Sequence, residues 1–146
     1  EIKVQEKDWN LIAWCFALEG SIGLYKAYKT KTYRPSLKFY NSDLNVVKKF
    51  AVMVDAGKIY ENKPTCNKYK TVYVWQCVNP ITVLEILDKI KFYLPSKQQQ
   101  ANLLIQYINM RNNHFSTLIR NKRDVSYLLK EEEIYMQMKE LNKRGK

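Results

Sequence analysis

Apolar and polar positions alternate along the chain between two patterns, the helical period of about 3.6 residues and the strand period of two residues. An apolar run predicts a helix that begins at Asp8 as N-cap, ends near Leu18 and is stopped by Gly20. The next two segments, 21–30 and 34–42, alternate apolar and polar residues, which is typical of strands with one buried side. We therefore expect a helix followed directly by a β-hairpin.

The hairpin-then-helix unit occurs twice. Residues 43–55 have helical spacing, and segments 57–66 and 69–78 predict a second strand pair. Residues 81–94, capped by Asn79-Pro80, predict a second amphipathic helix. A proline-containing break then leads to a third helical stripe over 97–110 and a last helix over 124–143. The order αββαββα plus C-terminal helices predicts an α+β fold with a four-stranded antiparallel sheet backed by helices.

The simplest organisation is a single domain over residues 1–146, with a core at about 8–110 and C-terminal helices at about 115–143. The charged run at 130–133 predicts a solvated face of the last helix. In the fourth strand, the side of Val72 and Val74 is as apolar as the side of Tyr73 and Trp75, so the pattern does not assign its buried side.

Charge narrows the class of partner. The chain has 25 Lys and Arg against 14 acids, a net charge of +11, which favours nucleic acid. No apolar run is long enough to span a membrane, and no signal segment opens the chain. Three widely spaced cysteines indicate neither a disulfide framework nor a zinc site. We expect an intracellular protein, either cytoplasmic or organellar and associated with the nucleoid. We expect neither a membrane partner nor a small-molecule cofactor.

By strand parity, one face of the sheet is apolar and covered by helices, while the other mixes cations, hydroxyls and aromatic edges. A surface of that kind suits contacts with phosphates and base edges, and the alternative is an ordinary solvated sheet face. The predicted DNA contacts are Tyr25, Lys29, Arg34, Ser36, Lys38, Tyr40, Lys58, Tyr60, Asn62, Lys68 and Lys70.

The stretch "IAWCFALEG" followed by "SIGL" resembles the LAGLIDADG motif of homing endonucleases, in which a helix ends at an acid and a glycine and leads into a strand. The N-terminal position, the ββαββα order and the segments "FYNSD" and "LPSKQQQANLL" are similar to that family as well. The resemblance covers roughly residues 8–110. It implies a site-specific endonuclease that makes a metal-dependent double-strand break in a long near-palindromic DNA, encoded by an intron or intein-related element.

The resemblance also implies a catalytic set of Glu19, Asn41 and Lys97. Glu19 and the backbone carbonyl of Leu18 would bind Mg²⁺ or Mn²⁺, Asn41 would lie near the metal, and Lys97 would be the active-site lysine. Phosphodiester hydrolysis needs an activated water and stabilisation of the leaving oxygen, and hard oxygen ligands suit the cations that provide both. Taken singly, each residue has a plainer interpretation: an exposed helix-end acid, a residue leading into a helix and a surface lysine.

One motif per chain implies that the active form is a homodimer, in which two motif helices meet. The predicted dimer contacts are Ala13, Trp14, Ala17 and Leu18. Trp14 and Leu18 stand where the family usually has Gly and Ala, while Ala13 and Ala17 offer small residues shifted by one position.

Two other functions remain open. A nucleic-acid-binding derivative that does not cleave, such as an intron-splicing maturase, would keep the basic sheet without using the acid. An unrelated basic ribosomal or interaction protein would have no need of an acid at the end of the first helix.

Overall fold

The computed structural model describes residues 6–27, 29, 32–66, 69–117 and 125–143, without the side chains of 6, 7 and 115–117. The elements are α1 (Glu6–Glu19), β1 (Gly20–Ala27), β2 (Thr32–Asn41), α2 (Leu44–Val54), β3 (Lys58–Asn62), β4 (Val72–Cys77), α3 (Pro80–Ile90), α4 (Gln98–Thr117) and α5 (Val125–Leu141). The predicted α+β class and the αββαββα order with C-terminal helices are confirmed.

The sheet joins the two hairpins through their inner strands. Its four strands have the order β1-β2-β4-β3, and all neighbouring strands are antiparallel. Phe39 of β2 lies opposite Trp75 of β4, and Ile59 of β3 lies opposite Trp75 on the other side. Residues opposite each other in a ladder share one face of the sheet, so these three residues define the covered face.

The covered face settles the sides of β4. Trp75 and Cys77 are buried under the helices, where Phe16 and Phe50 pack against the Trp75 ring in edge-on contacts. Val74 is therefore on the opposite side of the strand. The pattern left this open because both sides of β4 carry large apolar residues.

Local signals at the helix ends are mostly as predicted. The Asp43 side chain accepts a hydrogen bond from the amide of Asn45 and caps α2, and Asn79 caps α3 in front of Pro80. Asp8 is an exception, because α1 begins at Glu6 and Asp8 lies inside its first turn. This corrects the prediction that Asp8 is the N-cap.

The last helix is bound to the rest of the fold by its acids. Glu131 is 1% exposed, and its carboxylate accepts hydrogen bonds from the hydroxyls of Tyr107, at 3.0 Å, and Tyr127, at 3.1 Å. Glu132 forms an ion pair with Lys26 of β1 at 3.6 Å. The predicted solvated face is therefore wrong for Glu131, which is buried among tyrosine hydroxyls, whereas the Glu132 side chain stays about half exposed beside Lys26.

The end of α5 is also attached to the edge strand β1. The side-chain amide of Asn142 donates to the carbonyl of Ile22 at 3.0 Å, and Gln100 of α4 donates to the carbonyl of Leu141 at 3.3 Å.

Across the described parts of the chain, no helix is both long and apolar enough to cross a membrane.

Candidate active site and nucleic-acid interface

The centre of the site is the junction at which α1 passes directly into β1. Glu19 is the last residue of α1, its side chain is exposed, and Gly20 is the first residue of the strand. A Cβ on Gly20 would lie 2.7 Å from the Lys38 carbonyl oxygen and 2.7 Å from Cα of Phe16. Glycine is thus required here because helix and strand backbones approach each other too closely for any side chain.

Asn41, at the end of β2, lies beside this acid. Its Nδ2 donates to Oε2 of Glu19 at 3.3 Å, and its Oδ1 accepts from the Asp43 amide at 2.8 Å. The bond from the Asp43 amide determines which end of the Asn41 side chain faces Glu19, because a backbone N–H can only donate. The structure therefore brings Glu19 and Asn41 together.

Lys97 reaches the same junction from the segment before α4. Its Nζ donates to the carbonyl of Phe16 at 2.8 Å and to the carbonyl of Gly20 at 2.6 Å. Burial lowers the pKa of the Lys97 ammonium, because removal from water disfavours the charged form. The three predicted catalytic residues, which are distant in the sequence, thus all lie at this junction: Glu19 and Asn41 are in direct contact, and Lys97 contacts the backbone on either side of Glu19.

The oxygen donors at this junction fit part of a magnesium or manganese site. Glu19 offers a carboxylate, and Leu18 belongs to the last helical turn, whose carbonyls have no intrahelical donor. No group of three or more His, Cys, Asp or Glu that could hold a metal occurs within the described residues. One chain therefore supplies a partial set of hard donors, and the ligand sphere would be completed by water, phosphate or a second copy.

The second part of the site is the uncovered face of the sheet, here called the open face. Strand register places two rows across it: Ser21, Lys38, Gln76 and Lys58 form one row, and Tyr40, Val74 and Tyr60 form the other. Tyr25 lies opposite Arg34 on the same face, and Asn62 lies opposite Val72. The sheet thus brings most of the predicted DNA contacts to one surface.

The remaining predicted contacts are placed differently. Lys29 and Lys70 lie in exposed connections between strands, and Lys68 is outside the described residues. Ser36 is on the open face but is buried, and its Oγ accepts a hydrogen bond from Gln76 at 3.4 Å. We therefore correct the prediction for Ser36, which has little surface with which to contact DNA directly.

Sequence reasoning missed two parts of this surface. Gln76 lies between Lys38 and Lys58 in the row, and only knowledge of the strand order would have revealed it. A cavity of about 620 Å³ also lies between the open face and the end of α5, with Lys139 and Lys143 in its lining. This position of the last helix was not predictable, because nothing in its sequence pattern specifies where the helix packs.

The exposed side of α1 is apolar. Leu11 is 54% exposed, Trp14 47% and Leu18 73%, and their spacing places them along one side of the helix. We call these three residues the α1 stripe. Ala13 is fully buried in its own chain, and Ala17 is partly buried. This corrects the prediction that Ala13 contacts a second copy, because its side chain does not reach the surface.

Comparisons with known proteins identify the fold. No protein-family model matches the sequence, and no curated protein does either. The homing endonuclease I-CvuI, crystallised with the I-CreI target in the presence of Mg and with the DNA not cleaved, superposes with a TM-score of 0.75 at 19% identity over 97% of this chain and 87% of that chain. The archaeal intron-encoded homing endonuclease I-Vdi141I, complexed with DNA, gives 0.74 at 14% identity over 97% and 87%.

Two further structures agree. The group I intron-encoded homing endonuclease I-CeuI, complexed with DNA, gives a TM-score of 0.69 at 19% identity over 100% of this chain and 72% of that chain. The LAGLIDADG homing endonuclease I-GzeII, in complex with its DNA target, gives 0.67 at 18% identity over 93% and 45%. The chain has the fold of the LAGLIDADG homing endonucleases, as the motif in α1 implied.

Proposed function

We propose that this chain is a site-specific homing endonuclease that makes a double-strand break in a long near-palindromic DNA, acts as a homodimer and depends on Mg²⁺ or Mn²⁺. The observation that carries the proposal is the meeting of Glu19, Asn41 and Lys97 at the end of α1. Solved proteins with this fold include homing endonucleases in complex with DNA, which supports double-stranded DNA as the partner.

Each residue at the junction has a defined task in this proposal. The Glu19 carboxylate and the Leu18 carbonyl would hold the cation, which when bound supplies an activated water and stabilises charge on the leaving oxygen. Asn41 holds the Glu19 carboxylate in place through its Nδ2. The Lys97 ammonium places a positive charge next to the reacting phosphate, where negative charge increases in the transition state.

DNA would bind along the open face. Lys38, Lys58 and Arg34 provide charges for phosphates, while Tyr60 and Gln76 provide polar edges for bases. The net charge of +11 adds an electrostatic attraction to DNA that does not depend on the DNA sequence. Binding should therefore weaken steeply with salt, because each neutralised phosphate releases a condensed counterion.

The number of acids at the junction supports the proposed homodimer. The junction contains one carboxylate per chain, whereas cutting both strands needs two reaction centres. The α1 stripe is apolar and adjacent to Glu19, so pairing two stripes would bring two junctions close together. We retain as predictions that an intron or related mobile element encodes the protein and that it acts inside the cell, at DNA.

A second candidate is a nucleic-acid-binding protein of the same fold that does not cleave, such as a maturase. The small donor set at the junction favours this candidate, because the described residues of one chain do not hold a complete metal site. The third possibility, an unrelated basic scaffold, is not supported, because the fold is that of homing endonucleases.

Cleavage by wild type and Glu19→Gln separates the candidates. Targets are first selected from a random DNA library by binding in Ca²⁺, and cutting is then measured in Mg²⁺. We expect wild type to cut both strands and Glu19→Gln to lose more than about a hundredfold in rate while still binding, because the substitution removes a direct cation ligand. Glu85→Gln, at an exposed acid of α3, is the matched control and should cut normally. If wild type binds the selected DNA and never cuts it, the endonuclease proposal fails and the binding protein remains.

A further inference from the structure

The end of α1 poses an electrostatic problem within the chain itself. Carbonyl groups of the last helical turn point away from the helix without donors, and partial negative charge gathers there. Glu19 adds a full negative charge at the same place, and the last turn of α1 contains no basic residue. The helix therefore provides no charge of its own to offset the acid.

Lys97 provides that charge from another part of the chain. Its two acceptors, the carbonyls of Phe16 and Gly20, lie on either side of Leu18 and Glu19 in the sequence. Hydrogen bonds from an ammonium group are about twice as strong as neutral ones. Lys97 thus joins the last turn of α1 to the first residue of β1 across the proposed metal ligands.

The ammonium binds the backbone and leaves the acid available. The ion pairs of Lys26 with Glu132 and of Lys91 with Asp88 involve neither Glu19 nor Lys97. A salt bridge between Lys97 and Glu19 would instead have occupied the carboxylate oxygens. The arrangement therefore stabilises the junction while Glu19 can still accept a cation.

The Lys97 backbone is held for this purpose. Its φ of 65° lies in the left-handed region, which is costly for a residue with a side chain. The Lys97 carbonyl accepts from the amide of Ala101 at 3.0 Å, and Gln98 donates to the Leu94 carbonyl at 3.1 Å, so the start of α4 fixes the segment on both sides. A strained backbone persists only where its surroundings determine it.

We propose that Lys97 is a positioning residue that organises the Leu18–Glu19 junction for cation binding by clamping the carbonyls of Phe16 and Gly20. This inference rests on the proposed metal role of Glu19. It differs from an action of the ammonium on the reacting water or phosphate alone, because the clamp operates in the protein without DNA and before any reaction.

NMR of the DNA-free protein tests the clamp through the backbone amides of residues 18–21. In Lys97→Met we expect amide exchange at these positions to be at least about tenfold faster, because the clamp is lost. The Mg²⁺ concentration at half-saturation should rise about 10- to 100-fold, as for other groups that orient metal ligands. Lys97→Arg should keep both values within about threefold of wild type, because a guanidinium can donate to two carbonyls at once.

Lys91→Met is the matched control, because it removes one positive charge just after α3 whose ion-pair partner is Asp88 rather than a group of the junction. It should change neither measurement. The proposal would be overturned if Lys97→Met had the same amide exchange rates and the same Mg²⁺ concentration at half-saturation as wild type. It would also be overturned if Lys97→Arg changed both values as much as Lys97→Met does. If Mg²⁺ does not shift these amides even in wild type, the metal part of this inference fails. The exchange rates still decide whether Lys97 clamps the junction, and cleavage of the selected DNA decides the proposed function.

Discussion

The α1 stripe predicts a homodimer with a symmetric interface. Each substitution in the stripe therefore removes two contacts, one from each copy. In Leu18→Ala, each copy loses three carbon atoms at about 0.8 kcal/mol each when fully buried. Because Leu18 is 73% exposed in the single chain, dimer formation can account for most of that loss, about 2 kcal/mol per copy. Symmetry doubles the effect to about 3–4 kcal/mol, so the dimer dissociation constant should rise about 150- to 800-fold.

Sedimentation equilibrium across a range of protein concentrations measures this change. Val52→Ala is the matched control, because Val52 is a comparably exposed apolar residue on α2, outside the α1 stripe. Thermal unfolding of Leu18→Ala should remain close to wild type under conditions that keep both proteins monomeric. The pairing of two α1 stripes would be refuted if the dimer dissociation constant of Leu18→Ala equalled that of wild type. It would also be refuted if Val52→Ala raised this constant as much as Leu18→Ala does.

Three further predictions concern the junction, the open face and the buried acid. Gly20→Ala should lower the free energy of unfolding by about 1–3 kcal/mol in urea melts, because its Cβ would lie 2.7 Å from the Lys38 carbonyl; full stability would contradict the required close approach. Lys38→Gln should reduce the slope of log binding constant against log salt by about 1, and an unchanged slope would remove Lys38 from the phosphate contacts. Burial and the charge of Glu131 raise the pKa of Tyr107 from its usual 10.0, so the folded state keeps a proton that the unfolded chain loses, and stability should fall by about 1.4 kcal/mol per pH unit above pH 10. Tyr107→Phe should remove that part of the slope in urea melts between pH 9 and 11, whereas the control Tyr69→Phe, at an exposed tyrosine, should not.

The arrangement of the hairpins and helices was predictable because its signals are local. Alternation marked the strands, and the caps Asp43 and Asn79 marked two helix starts. The resemblance added Glu19 and Lys97, which the structure places at one junction. Their catalytic roles remain predictions, since the geometry brings the residues together without showing a reaction.

Other features depend on contacts between distant segments, and the sequence could not reveal them. Val74 and Trp75 are both large and apolar, and only the position of β4 between β2 and β3 decides which of them faces the helices. Glu131 sits in a run of charges, yet hydroxyl groups from Tyr107 and Tyr127 allow its burial. The Lys97 contacts were not predictable for the same reason. Their acceptors are backbone carbonyls, which every residue has, so the residue types do not reveal them.

The tie between the end of α5 and β1 has a consequence for solubility. A strand at the edge of a sheet exposes unpaired backbone groups that can recruit strands from other molecules. Asn142 occupies the outward carbonyl of Ile22, and Glu132 holds Lys26 farther along the same strand. A chain shortened at residue 117 would uncover this edge, and we expect it to aggregate through β1 even if the site at Glu19 stays intact.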